Sequence, residues 1–166
     1  MNLMPQRKSP GRWLLSVLAV INLLTGVAWA APPSLAVEPD ALAKIEQFLA
    51  ICTRHSDASL AAQEVVAAKL VHASKLDPNN PQQLNADALR FSFKKAFANA
   101  KFYEPKVIRV TATTTTGVGH GATAQLGRLH KYFVAKKPGV NGMPAPIQVF
   151  FPEQGGPPVL YDWGSL

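Results

Sequence analysis

Three stretches of the chain repeat apolar residues at helical spacing, and four later stretches alternate. In "DALAKIEQFLAICTRH", Ala41, Ile45, Phe48, Leu49 and Cys52 recur three and four apart, which gathers them on one helix face. Asp40 is placed to cap that helix, its carboxylate accepting a first-turn backbone N–H. "SDASLAAQEVVAAKLVHASKLDP" predicts a second helix, starting near Asp57 or Ser59 and stopping before Pro78. Leu60, Val65, Ala68 and Val71 or His72 share one side of it, and its many alanines permit close packing. "NNPQQL" reads as a loop, because Pro and Asn interrupt helix and strand alike. "NADALRFSFKKAFANAKF" predicts a third helix capped by Asn85, with Leu89, Phe93, Phe97 and Ala100 opposite Arg90, Lys94 and Lys101.

From Pro105 the period changes to two. "KVIRVTATTTT" places Ile108, Val110 and Ala112 on one face and Arg109, Thr111 and Thr113 on the other, the pattern of a half-buried strand. "AQLGRLHKYFVAKK" predicts a second strand. "PIQVFF" and "PVLYDW" predict two shorter ones, joined by "PEQGGPP" as a tight turn. Between the first two strands, "TATTTTGVGHGATA" reads as a hairpin whose tip uses the freedom of Gly117, Gly119 and Gly121. Helices followed by strands give an α+β domain, about three N-terminal helices packed on a four-stranded antiparallel meander sheet. This element order resembles the cystatin-like and nuclear-transport-factor-2-like (NTF2-like) architectures, in which a curved sheet wraps a helix and can leave a pocket.

The N-terminus follows a different logic. Arg7, Lys8 and Arg12 precede the apolar run "WLLSVLAVINLLTGVAWA", which ends in the small-residue pattern Ala28-Trp29-Ala30. Basic head, apolar run and A-x-A site predict a signal peptide over 1–30, cleaved before Ala31, and so a periplasmic or secreted protein. The alternative is an uncleaved anchor, since residues 13–30 approach the ~20 apolar residues that span a bilayer. Residues 31–39 then form a flexible Pro-rich lead-in, and 40–166 a single α+β domain.

Removing 1–30 changes the charge. Three of the 17 basic residues go and none of the 10 acidic ones, so the formal +7 falls to +4. Without a basic cluster, that balance excludes nucleic acid as an expected partner. Cys52 is the single cysteine, so no internal disulfide and no four-cysteine zinc site can form. The four histidines, His55, His72, His120 and His130, match no metal-ligand spacing, and no metal or other cofactor is expected.

The catalytic motifs fail in turn. "GVGHG" sits between two strands and lacks both the GxxxxGK[ST] pattern and a following helix, so it does not read as a phosphate loop. "CTRHSD" offers nucleophile, base and orienter types in Cys52, His55 and Asp57, but Cys52 lies on an apolar stripe, where a thiol stays protonated. The C-terminal "VLYDWGSL" is more suggestive. If the sheet is curved, Tyr161 and Trp163 line its concave side, and with His130, Tyr132 and Phe150 they form an aromatic pocket, with Asp162 beside it.

The resulting expectation is a non-enzymatic exported envelope or periplasmic domain. It binds a protein partner or a small apolar ligand, and a homodimer through the sheet is open to it. Two alternatives stand beside it. One is a small pocket enzyme using His130 or Asp162 as general base; the other is a membrane-anchored subunit of an envelope assembly, which requires retention of 13–30.

Overall fold

The computed structural model describes residues 34–113 and 116–166. The expected signal peptide or anchor therefore lies outside the described residues. Among those described, no helix is long and apolar enough to cross a membrane.

Helix α1 spans Pro39–Arg54 and buries Ala41, Ile45, Phe48, Leu49, Ile51 and Cys52. Its cap is Glu38 rather than Asp40, because Pro39, which has no N–H to satisfy, takes the first turn and moves the boundary back. Helix α2 spans Ala58–Ala67, and Asp57 caps it, accepting the N–H groups of Ser59 and Leu60 at 2.8 and 3.0 Å. It ends ten residues before Pro78. Lys69 adopts a left-handed φ of 52°, and the Lys69 and Leu70 amides donate to the carbonyls of Val66 and Val65. These two bonds close a Schellman turn. Leu70 to His72 then leave the helix for the sheet: Leu160 donates to the Leu70 carbonyl at 2.7 Å, and His72 to the Leu160 carbonyl at 2.9 Å. Leu60, expected on the buried side, is 55% exposed, while Ala61, Ala62, Val65 and Val66 are buried.

The third helix begins as a π-helical stretch, Ala88–Phe93, and runs on as α3, Lys94–Ala100. Asn85 caps it through Oδ1, which accepts the Ala88 amide at 2.8 Å. Before it, residues 76–84 leave and return: Leu76 bridges Leu84, and Asp77 donates to the Gln83 carbonyl at 2.9 Å. Side-chain oxygens of Asp77 and Asn80 accept the amides of Asn79 and Gln82, so the excursion is stitched internally.

The strands are β1 (Tyr103–Ala112), β2 (Thr116–Val118), β3 (Gln125–Lys136), β4 (Ala145–Pro152) and β5 (Val159–Asp162). They form one antiparallel sheet in the order β1-β3-β4-β5, with β2 pairing β3 beyond the end of β1. The expected four strands are thus five, since the first is interrupted after Ala112 and resumes at Thr116. Pro105 lies in β1, an edge strand where its missing N–H is tolerated, and the register slips between Tyr103 and Val107 and again before Arg109. The slips turn Val107 toward the core and leave Ile108 50% exposed, reversing its expected side.

One sheet face carries the core. Val110, Tyr132, Val134, Ile147, Val149 and Leu160 pack with the three helices, and Phe48 stands edge-on to Phe93 at 6.0 Å and 5.5 Å from Trp163. The opposite face holds a smaller cluster of Val118, Leu129 and Phe150, flanked by Val159 and Tyr161. In the lead-in, the Leu35 amide donates to the Val110 carbonyl and the Ser34 hydroxyl accepts the Val110 amide, both at 3.0 Å.

The β2–β3 turn contains a 3-10 turn, Gly121–Thr123. Thr123 Oγ1 accepts the His120 amide at 3.2 Å and donates to the His120 carbonyl at 2.9 Å, which closes the loop on itself. Gly119 is required twice over, by a φ of 78° and because a Cβ there would stand 2.2 Å from the Thr123 carbonyl oxygen. Gly117 has no such role at the tip; it is paired with Leu126 in β2.

Candidate functional site

The six residues expected to share a pocket divide between the two faces of the sheet. His130 and Tyr132 are buried on the core face, beneath the start of α1. The His130 ring lies 4.9 Å from Phe151, and its Nδ1 is 3.9 Å from the Glu38 carboxylate, without a hydrogen bond. Burial lowers the His130 pKa, with Arg128 adding to the effect and Glu38 opposing it. Burial likewise pushes the Tyr132 phenol up to about 12. Trp163 is 1% exposed within the helix-covered core.

Phe150 and Tyr161 lie on the other face. Phe150 is fully buried over Gly127, and Tyr161 is half-buried under Lys75 Nζ, 4.5 Å from the ring centre. Asp162 has both carboxylate oxygens engaged: Oδ1 accepts the Gly164 amide at 3.0 Å and Oδ2 the Gln148 carboxamide at 3.3 Å. The alternation that put Tyr161 and Trp163 on one side breaks because β5 ends at Asp162, and the chain turns before Trp163 inserts beside Phe48.

The "CTRHSD" groups are also separated. Cys52 is buried and its thiol is pushed up to about 12 by desolvation, which keeps it protonated. His55 is bonded to Glu64 at 2.5 Å, Arg54 also pairs with Glu64, and Asp57 is spent on the α2 cap. Among the described residues no three His, Cys, Asp or Glu side chains gather as a metal site.

A wide opening lies elsewhere, between α2 and the stitched excursion of residues 76–84. It is a cleft of about 780 Å³ with Val66, Val71 and Leu76 among its apolar lining. Four carboxamides, Gln63, Asn80, Gln82 and Gln83, supply paired donors and acceptors, and among the described residues Lys69 is the charged side chain that lines it. Its volume falls within the ~300–1,000 Å³ typical of small-molecule pockets, and an apolar lining with a few polar groups is their usual chemistry. Its outer wall is set before any ligand arrives, because the excursion satisfies its own backbone groups. A smaller recess of about 250 Å³ continues along α2 past Gln63 and Gln83 toward Ser59 and Leu89.

The segment "NNPQQL", expected as a connecting loop, supplies part of the cleft's lining. The available signal was its density of uncharged polar side chains around two prolines, Pro78 and Pro81, which rigidify a loop and leave carboxamides to present. Comparison of the chain with protein-family models, curated proteins and solved structures finds no match.

Proposed function

We propose that the chain is an exported, non-enzymatic binding domain that holds a small ligand in the α2 cleft. The observation that carries this reading is the cleft itself, preformed and mixed in lining, beside a helix–sheet interior filled by Phe48, Phe93, Tyr132 and Trp163. The ligand has an apolar body that meets Val66, Val71 and Leu76, and a polar edge that meets the carboxamides. Export rests on the basic head, apolar run and Ala28-Trp29-Ala30 of the N-terminus. The fold is taken as cystatin-like or NTF2-like, supported by helices packed on one face of an antiparallel sheet.

The pocket-enzyme alternative has less support. A general base needs reach to a substrate proton, whereas His130 is 5% exposed and both oxygens of Asp162 are engaged. A homodimer through sheet edges competes with existing bonds, since Leu35 occupies Val110 of β1 and Val71 bridges Leu160 of β5.

Native mass spectrometry of the protein recovered from its own host tests the reading. The expected spectrum carries a bound small molecule that is lost in Ala67→Trp, which fills the cleft from its exposed helix side. A retained molecule unaffected by that substitution contradicts the assignment to the cleft. The same spectrum reports the N-terminus. A chain starting at Ala31 supports export with cleavage, and one retaining residues 13–30 favours the membrane-anchored alternative.

A further inference from the structure

His72 is 2% exposed, and neither the core nor the α2 cleft accounts for it. Its ring stands edge-on to Phe150 at 5.2 Å and to Tyr161 at 5.7 Å, on the sheet face away from the helices. Nδ1 accepts the Ser74 amide at 3.1 Å and lies 2.9 Å from the Ser74 hydroxyl. With Nδ1 held as an acceptor, the neutral ring carries its proton on Nε2. That buried donor has no hydrogen-bond partner. Native structures rarely leave such a group unsatisfied, so an orphaned donor at a cavity is a specific reason to look for a ligand.

A cavity is present at that place. It measures about 400 Å³ and lies between the return of the β2–β3 turn and the β4–β5 turn, with His72 in its lining. Gln125 approaches the imidazole from the same cavity and partly offsets the lowering of its pKa by burial, without completing a hydrogen bond to Nε2. Leu126, Pro152, Pro157 and Val159 supply apolar surface. No acidic side chain is among the described residues that line it, and Lys75 is the charge that acts on His72.

We propose that this cavity is a second binding site, for a small monocarboxylate whose oxygen accepts the His72 Nε2–H while its hydrocarbon part packs on Leu126, Pro157 and Val159. An acceptor is required because, among the described residues lining it, the buried unpaired group is a donor. A carboxylate fits better than a neutral carbonyl because the nearby charge is positive, and a charge-assisted bond is the stronger kind. Gln125 is exposed at the start of β3, and the ligand would replace its side-chain interaction with His72.

The test is an NMR titration of ¹⁵N-labelled protein with butyrate and benzoate, and with butanol and benzyl alcohol as uncharged counterparts. Two variants accompany it. His72→Asn keeps an acceptor for the Ser74 amide, since asparagine caps well, but removes Nε2. Ala124→Trp blocks the exposed rim and leaves the interior untouched, so it serves even if the first variant folds poorly. The expected result is saturable shifts at Ala73, Gln125, Leu126 and Val159 with the carboxylates, together with a shift of the His72 Nε2–H. The alcohols and both variants are expected to bind roughly tenfold to a hundredfold more weakly, the value of one hydrogen bond to a charged group. Equal binding of acids and alcohols, unchanged binding in the variants, absence of saturable shifts, or shifts confined to Gln63–Lys69 would each overturn the proposal. The α2 cleft is tested by a different substitution, so either site can fail alone.

Discussion

Single residues decide how tightly the second sheet face closes. Gly127 pairs with Pro152, and a Cβ there would come within 2.2 Å of the Phe151 carbonyl oxygen and 2.7 Å of the Phe150 ring. The backbone oxygen cannot yield cheaply, and the ring is held by Leu129 and Val118. Gly127→Ala should therefore destabilise the protein by about 3 kcal/mol, an overpacking cost at the upper end of the usual range. Chemical denaturation reads this directly, and a loss below about 1 kcal/mol would show that the face relaxes freely. Residue chemistry also explains why the most tempting reactive group is inert. Cys52 lies on the buried stripe of α1, where desolvation holds it as the thiol.

At the scale of elements, the instructive feature is the early end of α2. The stretch "VAAKLVHA" over residues 66–73 is compatible with helix, and no local breaker precedes Pro78, so periodicity alone carries the helix too far. What stops it is non-local: Leu70 and His72 gain backbone bonds to Leu160 that the helix does not offer. The turn costs strain, because a lysine in the left-handed region is less stable there than glycine by about 1 kcal/mol. Lys69→Gly should raise stability by about that amount while weakening ligand retention in the cleft, a trade that denaturation and native mass spectrometry can follow on one sample. A variant that is no more stable would mean that the lysine side chain compensates for its backbone.

The same distinction separates what was legible from what was not. The α1 stripe, the start of α2 near Asp57, the Asn85 cap, and the positions of β3, β4 and β5 follow from local chemistry and periodicity. The slips around Pro105 and the insertion of Trp163 beside Phe48 follow from tertiary packing, which spacing does not encode. The α2 cleft belongs to the second kind. Its wall and its floor lie on separate segments, and the Leu76–Leu84 bridge and the Asp77–Gln83 bond close the excursion that makes one out of the other.

For the whole molecule, two buried histidines set the response to acid. Burial lowers the pKa of His72, partly offset by Gln125 and reinforced by Lys75, and burial lowers that of His130, reinforced by Arg128 and opposed by Glu38. Both therefore titrate in the fold below the ordinary imidazole value of 6.5, while the unfolded chain protonates them near that value. The unfolded state then binds more protons, so stability falls as pH drops below about 6.5 and levels off once the folded-state pKa values are passed. Thermal unfolding between pH 7 and pH 5 should show the decline, and His72→Asn with His130→Asn should flatten it. A wild-type profile that is flat from pH 7 to 5 would mean that these rings are accessible to protons in the fold.

The central claim, that a small ligand occupies the α2 cleft and not the helix–sheet interior, is tested most directly by mapping amide shifts. A ¹⁵N–¹H correlation spectrum of the protein would be recorded as a small-molecule extract of the host's own envelope is added, for wild type and Ala67→Trp. The account predicts saturable shifts over Gln63–Val71 and Leu76–Gln83 in wild type that vanish in the variant. Shifts centred instead on Tyr132, Ile147 and Trp163, or shifts that persist unchanged in Ala67→Trp, would contradict it.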